Sequence, residues 1–217
     1  MLIKWIGHAC FLLTFKNGKR VLIDPYAPDL GYEPVCEQAD VVLVSHEHDD
    51  HNFTEHLTGD FQLIDAPGEY VIDGMKITGI TLPHDEAQGA KRGQVVSFLI
   101  QAEGLTFLHM SDVGCMPQDA YFELLPKIDI LMIPVGGVYT VDAQGAFAIM
   151  ERIHPNITIP MHYMTSSLRK FALKGVHELI ELAGGGYDVS RLGNAEFEIT
   201  ADNLKKRSRI MVMEHSN

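Results

Sequence analysis

Cysteine is scarce in this chain and badly placed for linkage: Cys10, Cys36 and Cys115 stand far apart, with no Cys-x-x-Cys pair. That excludes a disulfide framework and a thiolate zinc site. Cys10 and Cys36 read as reduced, small apolar residues, and Cys115, close to Asp112, as ordinary packing. Positive charge is also short, with 17 Lys and Arg against 29 Asp and Glu and a net charge of −12. A phosphate-backbone partner needs a basic face to displace counterions, so no nucleic-acid partner is expected. The one basic cluster, Lys205-Lys206-Arg207-Ser208-Arg209, reads as a solvated turn. No apolar run reaches the roughly 18 residues that a membrane span needs. The run from Met1 to His8 is broken by Lys4 and Gly7 and lacks a small-residue cleavage site. The expectation is an unexported, cytoplasmic protein without a membrane partner.

What is present is an ordinary globular composition, 46% hydrophobic and 21% charged over 217 residues, read most simply as one domain spanning residues 1–217. The first half is rich in short strand-like runs. Leu2 to Ile6 and Ala9 to Phe15 are followed by an Asn17-Gly18 turn into Arg20 to Asp24, a β-meander that Pro25 ends. Further strands are expected at 40–45, 61–64, 70–72, 75–82, 95–101 and 105–110. The second half alternates helix and strand: a helix over 116–125, a strand over 128–133, a helix capped by Asp142 to about Ile153, and a strand over 157–161. Thr165 or Ser166 reads as the cap of the longest helix, Ser167 to Ala183, which Gly184-Gly185-Gly186 ends. Short strands follow at 189–192, 197–200 and 210–213. This rhythm implies two β-sheets face to face with helices outside.

The densest chemistry is Ser45-His46-Glu47-His48-Asp49-Asp50-His51, straight after the apolar run 41–44. Imidazole and carboxylate are costly to bury without partners and well suited to holding metal. Residues i and i+2 of an extended segment point the same way, so His46 and His48 can serve one cation. Asp50 and His51, one turn later, can face a second. Three other places share the pattern of an apolar strand ending in His or Asp: His84, Asp112 and His162. Alone, either histidine would more often be a hydrogen-bonded one, and Asp112 a helix cap. Strand ends at one edge of a sheet gather sites, and one metal pocket explains all four places together.

These residues resemble the metallo-β-lactamase superfamily, whose ligand set matches His46-x-His48-x-Asp50-His51 followed by a lone His, an Asp and a last His along nearly the whole chain. Trp5-Ile6-Gly7-His8-Ala9, Ile23-Asp24-Pro25, His109 to Gly114, Ile133 to Thr140 and Ile159 to Tyr163 look like its compact branch related to ascorbate-6-phosphate lactonase. The resemblance implies an α/β fold, a four-layer αββα sandwich of two mixed β-sheets, and a dinuclear site. It implies that His46, His48 and His84 bind the first ion, that Asp50, His51 and His162 bind the second, and that Asp112 bridges them. Asp24 would support the histidine loop. Asp50 and Asp112 are the carboxylates to which a catalytic part is assigned. His8, His109 and Tyr163 are further candidates for supporting the site or meeting substrate, while His56, His154, His177 and His215 read as surface histidines. Ser111, where relatives often have Gly, and Met164 depart from the family pattern.

Two divalent cations, zinc first with manganese or iron tolerated, would activate water for attack on a carbonyl or phosphorus centre. The expected activity is a metal-dependent, lactonase-like hydrolase acting on a small, anionic ester, lactone or phosphodiester. Lys91, Arg92, Arg169 and Lys170 are the cations placed to meet its charge. The alternatives are an iron-dependent oxidoreductase on the same scaffold and a non-catalytic metal-binding module. A nuclease stands third, for want of a basic groove. The sequence leaves a homo-oligomer open.

Overall fold

The computed structural model describes residues 1–204 and 208–216; Lys205, Lys206 and Arg207 of the basic cluster lie outside the described residues. The chain opens as an antiparallel meander, β1 (Leu2–Gly7), β2 (Cys10–Thr14) and β3 (Arg20–Ile23). Between β2 and β3 the turn closes with Phe15 N–H on the Lys19 carbonyl, and Gly18 takes φ +84°, which a Cβ would resist. β4 (Val41–Leu43) and β5 (Gln62–Ile64) add in parallel to β3.

Period-two alternation sends the side chains of these strands to two faces, and both are buried. Ile3, Trp5, Phe11, Leu13, Val21, Ile23, Val41 and Leu43 face the main core. Ile6, Cys10, Leu12, Leu22, Val42 and Val44 face outward into a second apolar cluster, which Tyr26, Leu30, Tyr32, Leu168 and Leu173 complete. A sheet covered on both sides reads as continuous apolar runs, as these strands do.

The second sheet begins as another meander, β6 (Gly68–Ile72), β7 (Met75–Pro83), β8 (Gln94–Ala102) and β9 (Leu105–His109). After α1 (Asp119–Leu124), the strand β10 (Ile130–Pro134), α2 (Ala143–Ile153) and β11 (Ile157–Met161) build parallel crossovers. The Asp142 carboxylate caps α2 by accepting from Gly145 N–H at 3.0 Å, and Ala143, Ala146, Ile149 and Met150 form its buried stripe. α3 (His177–Ala183) is followed by β12 (Asp188–Arg191), β13 (Glu196–Glu198) and β14 (Arg209–Val212). The sheets run β13-β1-β2-β3-β4-β5 and β12-β14-β11-β10-β9-β8-β7-β6, and both are mixed. Among the described residues no helix is long and apolar enough to cross a membrane.

The expected long helix from Ser167 is a correction: the helix begins only at His177. Backbone bonds to distant partners take the place of the helical ladder. Arg169 N–H donates to the Leu30 carbonyl, Lys174 N–H to Gly136, and Met164 N–H to Lys174. These bonds pin Leu168 and Leu173 onto the first sheet, so its outer layer is irregular chain, whereas α2 and α3 contribute to the main core. Two smaller expectations also change. Cys36 is exposed. His215 is half-buried, with its ring centroid 5.1 Å from Tyr32 and 6.2 Å from Trp5, because the segment after β14 folds back and Ser216 N–H bonds the Trp5 carbonyl.

Candidate metal centre

The strand ends meet at one rim of the sandwich. The first sheet contributes His8 from the β1–β2 turn, Asp24 after β3, and His46 to His51 after β4. The second contributes His84 after β7, Asp112 after β9 and His162 after β11. Four of the turning residues, His8, Asp24, Ser111 and His162, hold left-handed backbone at φ +53°, +49°, +48° and +49°. Non-glycine residues seldom adopt this region, and the cost is of order 1–3 kcal/mol each. Packing and hydrogen bonds on both sides hold them there.

Asp24 organises the first sheet's share. It is fully buried, its Oδ1 accepts from Ser45 N–H at 2.9 Å, and its Oδ2 accepts from Ser45 Oγ at 2.8 Å and His51 Nδ1 at 2.9 Å. Ser45 Oγ in turn accepts from Ser111 Oγ at 2.6 Å and from His46 Nδ1 at 2.9 Å. With protons on Nδ1 of both His46 and His51, the Nε2 lone pairs of both rings are left for the pocket. Ser45 and Ser111, unassigned from the sequence, are the links that set this tautomer. Their signal was the hydroxyl of Ser45 inside the histidine stretch itself.

Two groups of ligating atoms result. His46 Nε2 lies 2.9 Å, and His84 Nε2 3.3 Å, from His48 Nδ1. Three ring nitrogens at such distances cannot all be satisfied by protons on one another. The second group is His8, Asp50, His51 and His162, whose ligating atoms lie within 4.8 Å of one another. Asp112 stands between the groups: its Oδ2 is 3.2 Å from His162 Nε2, 3.3 Å from His51 Nε2 and 3.8 Å from His84 Nε2. The sequence-predicted ligands His46, His48, Asp50, His51, His84, Asp112 and His162 are therefore all brought together.

The electrostatics suit a cation. Burial pushes the His46 imidazole down to about 3 and His8 down to about 4, with His51 and His162 adding to the respective effects, so both rings are neutral at pH 7. Burial alone would raise the Asp112 carboxyl, but His162 and His51 hold it well below the usual carboxylate range. Burial would likewise lower His51, yet Asp112, Asp50 and Asp24 outweigh it and hold its pKa well above that of a free imidazole. Asp24, Asp50 and Asp112 are ionised, so the pocket holds negative charge in excess even with a proton on His51 Nε2, and a cation that displaces this proton would take the lone pair it leaves. His51 Nε2, His84 Nδ1, Asp112 Oδ1 and both His162 ring nitrogens are buried without a hydrogen-bond partner. Neutral imidazoles, ionised carboxylates and orphaned buried donor atoms are what divalent cations would satisfy, so the residues fit such ions.

Of the two roles open to His109 the structure shows the supporting one, whereas Tyr163 is a correction, since it neither meets the cleft nor supports the ligands. His109 is buried with Nε2–H on the Ala9 carbonyl at 2.9 Å and Nδ1 accepting from Ser111 N–H at 3.2 Å, so it props the Ser111 turn. Tyr163, one residue past His162, points the other way, 5.4 Å from the Trp5 ring, into a hollow shared with Arg191 and His215.

An open cleft of about 340 Å³ leads to the ligands and is lined by His48, Asp50, His84 and Asp112. Arg92, Tyr139, Lys170 and Phe171 line it as well. Of the four candidate cations only Arg92 and Lys170 line this cleft: Lys91 pairs with Glu86, and Arg169 donates to the Ser166 and Leu168 carbonyls. Arg92 lies 4.5 Å over the Tyr139 ring, and Lys170 is 2.9 Å from Asp29. The loop carrying Arg92 is wound around the buried Asp85 carboxylate, which accepts from the N–H groups of Ala87, Gly89, Lys91 and Arg92. A second cleft of the same size, beside Leu82, Met116 and Tyr121, is lined by no histidine or carboxylate.

Gly114 sets how closely the Asp112 turn approaches His84. A Cβ there would lie 2.2 Å from the His84 carbonyl carbon and the Asp85 nitrogen, and its N–H bonds the Pro83 carbonyl. Gly114→Ala is expected to cost about 2–3 kcal/mol of stability and to spread His84 from Asp112. An unchanged denaturant midpoint, followed by circular dichroism, would contradict that packing.

Comparison with known proteins bears on the family and the fold. The model of the Beta-lactamase superfamily domain matches residues 2–162. A UPF0173 metal-dependent hydrolase of Thermoplasma acidophilum is 31% identical over 195 residues, covering 76% of this chain and 84% of the relative. A UPF0173 protein of Pyrococcus furiosus is 34% identical over 185 residues, covering 77% and 85%. A Thermotoga maritima crystal structure assigned to the metallo-β-lactamase superfamily superposes with TM-score 0.80 at 32% identity, covering 99% of each chain. CmlA, a diiron β-hydroxylase of Streptomyces venezuelae, has TM-score 0.58 at 13% identity, covering 74% of this chain and 44% of its own, and shares the fold.

Proposed function

From a chain that belongs to the β-lactamase superfamily and, with its UPF0173 relatives, is a metal-dependent hydrolase, we propose a dinuclear enzyme that cleaves a small, anionic ester, lactone or phosphodiester. The carrying observation is the pair of ligand groups with Asp112 between them and the Nε2 lone pairs of His46 and His51 turned inward by Asp24 and Ser45. His46, His48 and His84 would hold one ion, Asp50, His51 and His162 the other, and Asp112 both. Nitrogen and carboxylate donors favour zinc and admit manganese or iron. When bound, such ions make hydroxide available from water at neutral pH and polarise the bond under attack.

The chain's own residues do the rest. Asp24, Ser45 and Ser111 keep the ligand rings from flipping. Tyr139 and Phe171, with ring centroids 5.3 Å apart, give the cleft an apolar side. Arg92, whose charge meets only the Tyr139 ring among the described contacts, is free to take a substrate carboxylate or phosphate, with Lys170 beside it. We place this activity in a single cytoplasmic domain acting on small molecules.

Metal content per chain, measured on protein purified without chelator, tests the reading together with turnover of matched nitrophenyl esters, a nitrophenyl phosphodiester and a lactone. Two zinc or manganese ions with turnover of at least one class is the expected result. A single iron with no hydrolysis would favour the oxidoreductase that shares this fold. Arg92→Gln is expected to raise KM roughly tenfold for a nitrophenyl ester carrying a terminal carboxylate, equivalent to about 1.4 kcal/mol, and to leave the uncharged ester unchanged. Equal effects on both would remove Arg92 from substrate recognition.

A further inference from the structure

His8 and His109 are both fully buried, and their rings are used differently. Backbone groups occupy both nitrogens of His109. His8 has Nε2 at 3.1 Å from Asp50 Oδ2 and leaves Nδ1 without a partner. Its ring centroid lies 4.0 Å from that of His162 and 5.4 Å from that of His51. Donor atoms on one cation, each about 2.1 Å from it, stand roughly 3 Å apart. The 3.1 Å between His8 and Asp50 is therefore the same kind of spacing as the 3.2 Å and 3.3 Å from Asp112 to His162 and His51.

The backbone holds the ring there. His8 sits at φ +53°, and its carbonyl accepts from the Trp5 indole N–H and from His162 N–H, each at 3.1 Å. The turn is thus tied to the strand end that carries His162. Phe171 stacks on the ring at 5.9 Å and 28°.

We propose that His8 is a ligand of the second cation, alongside Asp50, His51, His162 and the shared Asp112. This rests on the dinuclear reading above. The two positions then differ in kind. The first offers imidazoles with one shared carboxylate, a set suited to four-coordinate zinc. The second offers five protein donors and suits an ion that takes five or six ligands, such as manganese or iron. Unequal metal occupancy follows, with zinc enriched at the first position.

The test uses the full chain loaded with Co²⁺ and counts hyperfine-shifted imidazole N–H resonances by NMR. Wild type is expected to show six ligating rings and His8→Gln five, with the second Co²⁺ of the variant bound at least about tenfold more weakly. Gln can still hydrogen-bond Asp50, so a merely supporting histidine would leave affinity intact in that variant. Five rings in wild type, or unchanged second-site affinity in His8→Gln, overturns the assignment. If the variant fails to fold, the wild-type count decides alone. Uptake of a single Co²⁺ by wild type would defeat the dinuclear reading separately, and the presence or absence of a shifted His8 signal would still answer for His8.

Discussion

Asp112→Ala is expected to lose turnover and at least one cation per chain together, with activity down by roughly a thousandfold or more. Among the described residues, Asp112 offers the one carboxylate oxygen within 4 Å of ring nitrogens from both ligand groups. Without it, the imidazoles of His46, His48 and His84 and those of His51 and His162 converge with no charge between them. Asp112→Asn separates shape from charge: the amide fills the same space but cannot neutralise two ions. Metal analysis, turnover and a melting curve on the two variants distinguish ligand loss from collapse of the rim. Full metal content with turnover within twofold of wild type would sink the bridging role.

Asp24→Ala should be nearly as severe without touching a cation. Burial would raise this carboxyl, and His51 outweighs burial to keep it below its ordinary value, so Asp24 is ionised wherever the fold is intact near neutral pH. Removing it strands His51 Nδ1–H and Ser45 N–H in a fully buried position. Breaking such a buried pair costs about 3–5 kcal/mol of stability. The freed rings of His46 and His51 can then present the wrong nitrogen, which lowers metal affinity by about 10- to 100-fold. Denaturation of chelated protein reads the first effect and competition with a chelating dye the second. Wild-type values in both would show that the hydrogen bonds around Asp24 carry no such role.

The strand ends that hold His46, Asp112 and His162 were legible because each element is written locally: a short, nearly continuous apolar run, then a polar residue that ends it. The two-sheet architecture followed from the same runs, and α2 from its Asp142 cap and apolar stripe. The segment after His162 was not legible. Thr165 does bond Leu168 N–H, as a cap would, yet no helix follows, because Arg169 and Lys174 find backbone partners on distant segments that no local pattern announces. Tyr163 was misplaced for a related reason. His162 turns the chain with left-handed φ, and strand alternation gives no warning of where the next side chain goes. His8 and Phe171 reach the site from separate loops, and their meeting depends on the packing of the whole first sheet.

The division of the rim between two sheets has a consequence for how the protein survives. His8, Asp24 and His46 to His51 belong to one layer and His84, Asp112 and His162 to the other, so an ion held by both is a cross-link over the hydrophobic seam. Mass action then enters the folding equilibrium. Each tenfold rise in free metal above its dissociation constant adds about 1.4 kcal/mol to the native state per site. In a metal-starved medium the layers are held by apolar contact and the few hydrogen bonds across the rim, such as Ser111 to Ser45 and His109 to Ala9, and the lifetime of the folded chain becomes a gauge of the supply around it.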